Sequence, residues 1–194
     1  MGSDYNNLAK VSQDNSIVAI TRNSGKVALL RKSGTTYVFD EHIIDDSSLN
    51  TFLGLGISSD NTYIVTCTET KKLVVMKKNS TGGYDRHQTT DMGFSDHNSL
   101  YTSDMSADGQ YIVAHTITEV KILKFNSGTT NFEIYQTISS LSDAVYISIS
   151  GDGGYFALSI RMVGVKIYKN DGSTFSLWKT VGLEVTTPSF NFKA

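Results

Sequence analysis

Ser106-Ala107-Asp108-Gly109-Gln110-Tyr111-Ile112-Val113 reads as a tight turn feeding a strand, and the same arrangement occurs four times in the chain. The other copies are Ser12-Gln13-Asp14-Asn15 before Ile17-Val18-Ala19, Ser58-Ser59-Asp60-Asn61 before Tyr63-Ile64-Val65, and Ser150-Gly151-Asp152-Gly153 before Tyr155-Phe156-Ala157. The four serines lie 46, 48 and 44 residues apart, a period near that of a four-stranded propeller blade. Gly or Asn after the aspartate suits the turn, because both tolerate the positive φ that a tight hairpin requires.

Working outward from the turn, each unit resolves into four strands. A short apolar stretch precedes the serine, as in Phe52-Leu53-Gly54-Leu55-Gly56-Ile57 and Val145-Tyr146-Ile147-Ser148-Ile149. A third strand recurs as Val27–Arg31, Leu73–Lys77, Val120–Lys124 and Val165–Lys169, and a basic residue closes every copy. The fourth strand opens on an aromatic (Tyr37, Tyr84, Phe132, Phe175) and alternates with polar residues. That gradient matches a blade whose inner strands are packed between neighbours and whose outermost strand is partly wet. The expected fold is all-β: one propeller-type repeat domain over residues 1–194, with four four-stranded blades at approximately 4–50, 51–98, 99–143 and 144–188. Residues 189–194 then start a further strand. An accidental β-sandwich has no reason to repeat turn chemistry and aromatic placement at one period.

Composition sets outer bounds. With 39% apolar and 19% charged residues the chain is globular rather than disordered. The net charge of −2, with scattered Lys and Arg, offers no basic stripe for nucleic acid. No apolar run approaches the roughly 18–20 residues of a membrane span, so no membrane insertion is expected. Cys67 is the only cysteine and sits in a strand-like stretch, which reads as a buried, inert thiol. The absence of a leader-like segment and the single cysteine tilt the compartment, otherwise open, toward the cell interior.

The Ser-Ala-Asp-Gly-Gln-Tyr-Ile-Val segment with Val120-Lys121-Ile122 resembles the second and third strands of WD-repeat propellers. The family's Gly-His pair is missing, and its Trp-Asp pair is replaced by Arg31-Lys32, Lys77-Lys78, Lys124-Phe125 and Lys169-Asn170. FG-GAP-like repeats share the same look. What the resemblance implies is a rigid platform for protein partners. Such propellers usually close with more than four blades, and Ser189-Phe190-Asn191-Phe192 matches the inner strand of a fifth. The chain is therefore expected to be a segment of a longer polypeptide or a half-ring completed by pairing, ahead of a self-closed four-bladed ring.

A search for chemistry finds no convergent set. The repeated aspartates 14, 60, 108 and 152 read as turn residues whose carboxylates bond nearby amides. His42, His87, His97 and His115 show no metal-ligand spacing. No serine stands in a Gly-x-Ser-x-Gly elbow, and Gly151-Asp152-Gly153-Gly154 joins two strands, without the helix that a phosphate site uses. The expectation is a non-catalytic interaction scaffold, not an enzyme, without cofactor or metal. Its partners would be other proteins, itself, or further blades of a longer chain. An extracellular carbohydrate-binding or adhesive propeller is the alternative, with a sequon at Asn79. Partner contacts are expected at Trp178, the only tryptophan, and at Arg22, Lys71, Glu119 and Arg161 in loops that differ from blade to blade.

Overall fold

The computed structural model describes residues 8–22, 25–49, 51–95 and 102–182. The expected fifth-blade strand at 189–192 and His97 lie outside them. The first blade comprises β1 (Ala9–Val11), β2 (Ile17–Arg22), β3 (Lys26–Ser33) and β4 (Thr36–Asp45). The second comprises β5 (Phe52–Ile57), β6 (Tyr63–Thr68), β7 (Lys72–Lys78) and β8 (Tyr84–Asp91). The third comprises β9 (Thr102–Met105), β10 (Tyr111–His115), β11 (Val120–Asn126) and β12 (Asn131–Ile138). The fourth comprises β13 (Ala144–Ile149), β14 (Tyr155–Ile160), β15 (Gly164–Asn170) and β16 (Phe175–Gly182). Each blade is an antiparallel sheet in chain order, and the propeller architecture read from the repeat is the one observed.

The turn between the first and second strand of each blade is built identically. In the third blade the Ser106 hydroxyl donates to Asp108 Oδ1 at 2.5 Å and accepts the Tyr111 amide at 2.9 Å, while the Gln110 amide donates to the same carboxylate at 2.9 Å. Ser12, Ser58 and Ser150 repeat this with Asp14, Asp60 and Asp152. Asn15, Asn61, Gly109 and Gly153 take positive φ at the same place. The aspartates are thus turn residues, as expected. The Ser12 hydroxyl, with the Ser16 amide, holds the Asp14 carboxyl well below the usual range, and the Ser150 hydroxyl does the same for Asp152.

Each sheet buries a face against the next. Ile17, Ala19, Val27 and Leu29 of the first blade pack with Phe52, Ile64, Val74 and Tyr84 of the second. Tyr63, Val65, Leu73 and Val75 meet Ile112, Leu123 and Phe132; Tyr111, Val113, Val120 and Ile122 meet Phe156, Leu158, Tyr168 and Phe175. The tyrosine that opens a second strand stands edge-on to the next blade's outer aromatic, Tyr63 to Phe132 at 5.4 Å and Tyr111 to Phe175 at 5.6 Å.

In three blades the basic residue that closes the third strand lies over the ring of the tyrosine that opens the second. Lys77 lies 5.8 Å over the Tyr63 ring, Lys124 lies 5.5 Å over Tyr111, and Lys169 lies 6.0 Å over Tyr155. Such contacts are worth about 0.5–1 kcal/mol each at exposed sites. In the first blade Arg31 instead pairs with Asp40 at 2.6 Å. The WD-repeat label therefore carries no further than the strand scheme.

Two glycines of β5 mark the tightest approach to a neighbouring blade's backbone. A Cβ on Gly56 would sit 2.7 Å from the Met105 backbone nitrogen, and one on Gly54 would press on the Ser103 backbone. Gly56→Ala is expected to lower stability by about 1–3 kcal/mol in chemical denaturation, through overpacking against a backbone that cannot yield. Gly182→Ala, with open space around it, is expected to change stability by less than about 0.5 kcal/mol.

Candidate functional site

The inner strands β1, β5, β9 and β13 lie side by side along the inner wall. Aligned on their pairings with the second strands, Lys10, Gly56, Asp104 and Ser148 occupy one column, each opposite the third residue of its partner strand. These four differ in chemistry, whereas the next column, Val11, Ile57, Met105 and Ile149, is apolar throughout. Asp104 is 6% exposed and stands at the centre of the set. Its Oδ1 lies 3.3 Å from Lys10 Nζ, and its Oδ2 accepts the Ser148 hydroxyl at 2.9 Å and the Ile149 amide at 3.2 Å. Lys10 belongs to the first blade and Asp104 to the third. The ammonium reaches across the second blade because Gly56 puts no side chain between them.

This group borders a cleft of about 240 Å³, lined also by Gln13, Ser59 and Gly151 from the serine turns. Asp104 thus combines a buried carboxylate, two donors on one oxygen, and a half-exposed cation on the other. Lys10 is half exposed and can swing away, leaving Oδ1 to accept a proton or a hydroxyl from a small polar ligand. Among the described residues no three His, Cys, Asp or Glu side chains gather as a metal site. The Cys67 thiol is fully buried and burial pushes its pKa up to about 12, so it is an inert core group.

The partner residues expected from the loops map elsewhere. Arg22 ends β2, and Lys71, Glu119 and Arg161 fall between second and third strands, all at the opposite end of the blades from this cleft. They form no single constellation. Glu119 is buried, and its two carboxylate oxygens accept the Ser95 amide at 3.0 Å and the Ser95 hydroxyl at 2.7 Å, which ties two loops together. Arg22 and Arg161 are exposed, and Lys71 is half-buried in a turn at φ 64°. Trp178 is 57% exposed on the outer strand β16, edge-on to Tyr155 at 5.7 Å.

The sequence reading did not identify Lys10, Asp104 or Ser148. The signal existed: each lies two residues before a turn serine, and only alignment on Ser12, Ser58, Ser106 and Ser150 exposes the column.

No family model matches the chain, and no curated protein matches it. Solved structures do. A candidate 6-phosphogluconolactonase from Bacteroides uniformis superposes with a TM-score of 0.74 at 14% identity, over 90% of this chain and 54% of that one. One from Bacteroides fragilis gives 0.68 at 13% identity, over 89% and 53%. The periplasmic gluconolactonase of Pseudomonas aeruginosa gives 0.67 at 12%, over 89% and 52%. The chain spans about half the length of these structures, and its four sheets match about half of a propeller as a partial ring. At such identity the likeness carries the fold alone. It nevertheless corrects the expectation of a non-catalytic scaffold that is no enzyme. Propellers with this fold include three named as lactonases, so a missing nucleophile motif is no argument against catalysis here.

At the loop end, His115 closes β10 in full burial, with Nδ1 2.9 Å from the Thr116 carbonyl oxygen. Burial pulls its pKa down to about 4, against 6.5 for an ordinary histidine. As pH falls through 6.5 the unfolded chain takes up a proton that the folded chain refuses. Stability therefore declines between pH 6.5 and about 4 and this contribution levels off below. Thermal melts across that window are expected to show the decline in the native chain and a flatter profile in His115→Gln.

Proposed function

We propose that the chain supplies the inner wall of a sugar-lactone hydrolase, with Asp104 and Lys10 at the reacting carbonyl. One observation carries the reading: a buried carboxylate, held on one side by Ser148 and Ile149 and paired with a displaceable lysine, opens onto a cleft among the inner strands. The names of the similar propellers supply the substrate class, a cyclic ester of a sugar acid.

Hydrolysis of such an ester needs a proton acceptor for the attacking water and a positive charge for the oxygen that becomes anionic. Asp104 Oδ1 is the acceptor, and its orientation is set by the donors on Oδ2. Lys10 Nζ, moved off the carboxylate by the substrate, stabilises the oxyanion on the carbonyl carbon. The water oxygen bonds to that carbon and the ring C–O bond breaks. The proton held by Asp104 passes to the departing ring oxygen, and the product is an open-chain hydroxy acid. No covalent intermediate is required, which accommodates the lack of a nucleophile elbow. The sugar hydroxyls find polar partners in Gln13 and Ser59 at the cleft wall.

The test is proton release from δ-gluconolactone and its 6-phosphate, followed in a pH-stat with the purified chain. A rate above spontaneous opening is expected. Asp104→Asn should lower it on the order of 10²–10⁴-fold, the usual contribution of a positioned base. Lys10→Met should cost on the order of 10²–10³-fold, as for loss of an oxyanion donor. A native rate equal to the spontaneous one, or an unchanged rate in Asp104→Asn, overturns the reading.

A further inference from the structure

The blades are joined by a contact code that runs in one direction. In the second and third blades, the side chain at a fixed place on the outer strand clamps the peptide of the next blade's outer aromatic. Gln88 donates to the Phe132 carbonyl at 2.8 Å and accepts its amide at 2.8 Å. Gln136 does the same to Phe175, at 2.9 and 2.7 Å. The residue just before each glutamine is the extra one in a β-bulge, since the ladder register slips there in every outer strand. From the bulge, His87 Nε2 reaches the Thr130 carbonyl at 2.7 Å and the Tyr135 hydroxyl reaches the Gly172 carbonyl at 3.4 Å, each in the next blade's outer turn.

Both halves of this code recur at the two ends of the arc, where no described residue of another blade meets them. In the fourth blade the bulge residue is Trp178, 57% exposed, and the clamp position is Lys179, also exposed. The forward-facing apolar positions Val27, Leu29, Leu73, Val75, Val120 and Ile122 are fully buried, whereas their equivalents Val165 and Ile167 are half-exposed. In the first blade the receiving aromatic is Tyr37, 37% exposed, against 6%, 1% and 2% for Tyr84, Phe132 and Phe175. Among the described residues, every large apolar side chain that is exposed belongs to the first or the fourth blade, except Ile134.

We propose that the forward face of the fourth blade receives the first blade of a second copy of this chain. Trp178 lies over the partner's outer turn, Tyr155 stands against the partner's Tyr37, and Lys179 donates to the Tyr37 carbonyl. The contact is heterologous, so two copies joined at both ends close a ring related by a two-fold axis. A second copy is the favoured occupant because this chain itself carries both unmatched halves of its own code, with the aromatic and the turn in their repeating places. The interface continues the three already seen inside the chain, and it covers apolar surface that a soluble arc would otherwise leave in water. It also completes the channel whose wall holds Asp104, but it stands without the lactone reading, because the test below does not involve catalysis.

Trp178 is the only tryptophan, so its emission reports this contact directly. Light scattering is expected to give twice the chain mass, with Trp178 emission shifted to the blue. Tyr37→Glu and Trp178→Glu should each give the single-chain mass with an unchanged far-ultraviolet spectrum. Mixing the two variants should restore the double mass, because one intact Trp178 face then meets one intact Tyr37 face. Lys179→Gln, which restores the two-way clamp, should tighten the dimer several-fold. A native monomer overturns the proposal, with blue emission showing that the chain's own residues cover the face and red emission showing that nothing does. A dimer that survives both glutamate variants, or variants that do not complement, overturns it equally.

Discussion

A β-sheet with two apolar faces is stable only when both are covered, and this requirement governs the molecule. Each blade supplies its neighbour's missing layer, so no blade is self-sufficient and the stability of the arc resides in its interfaces. The cores between blades hold the largest side chains with under 2% exposure, Phe52, Phe132 and Phe156 among them. The serine turns have a second role under the same constraint. They fix where the second strand starts, and so which residues face forward and which backward; a one-residue slip would reverse the two sets.

The inner wall obeys a different rule. Inner strands converge, side chains have little room, and glycine appears where a neighbouring backbone presses close, as at Gly54 and Gly56. The column Lys10, Gly56, Asp104, Ser148 holds both kinds of position: Gly56 keeps the wall close-packed, while Lys10, Asp104 and Ser148 bring polar groups to the edge of the cleft. Burial then gives Asp104 its character: a carboxylate in a wall of apolar strands must be met by donors, and Ser148, Ile149 and Lys10 provide them.

Architecture was legible from sequence because it repeats. Four copies of Ser-x-Asp-Gly/Asn at a near-constant spacing report the turns and the four strands around each, and both are found as read. The outer-strand column Asp40, His87, Tyr135, Trp178 lies three residues after the aromatics that open those strands and can be aligned on them, but its identity as a bulge cannot be read, since a register slip leaves no mark in composition. The site was illegible for the opposite reason. Lys10 and Asp104 are separated by a whole blade in sequence and meet only because the arc bends. Function read from a missing motif failed because the residues that make a propeller channel reactive need not recur or cluster along the chain. Loop variation pointed to Glu119, but its burial against Ser95 makes that carboxylate a tie between loops.

The reach of Lys10 to Asp104 over Gly56 has a mechanical meaning as well. A link from the first blade to the third is a chord drawn inside a curved wall, and the length of a chord sets the radius. The pair, 3.3 Å apart, spans the second blade. With one member half exposed the tie is worth at most about 1 kcal/mol, so it trims curvature and does not dictate it. Were the lysine drawn away, by salt or by a ligand, this chord would be released and the packed faces between blades alone would hold the bend.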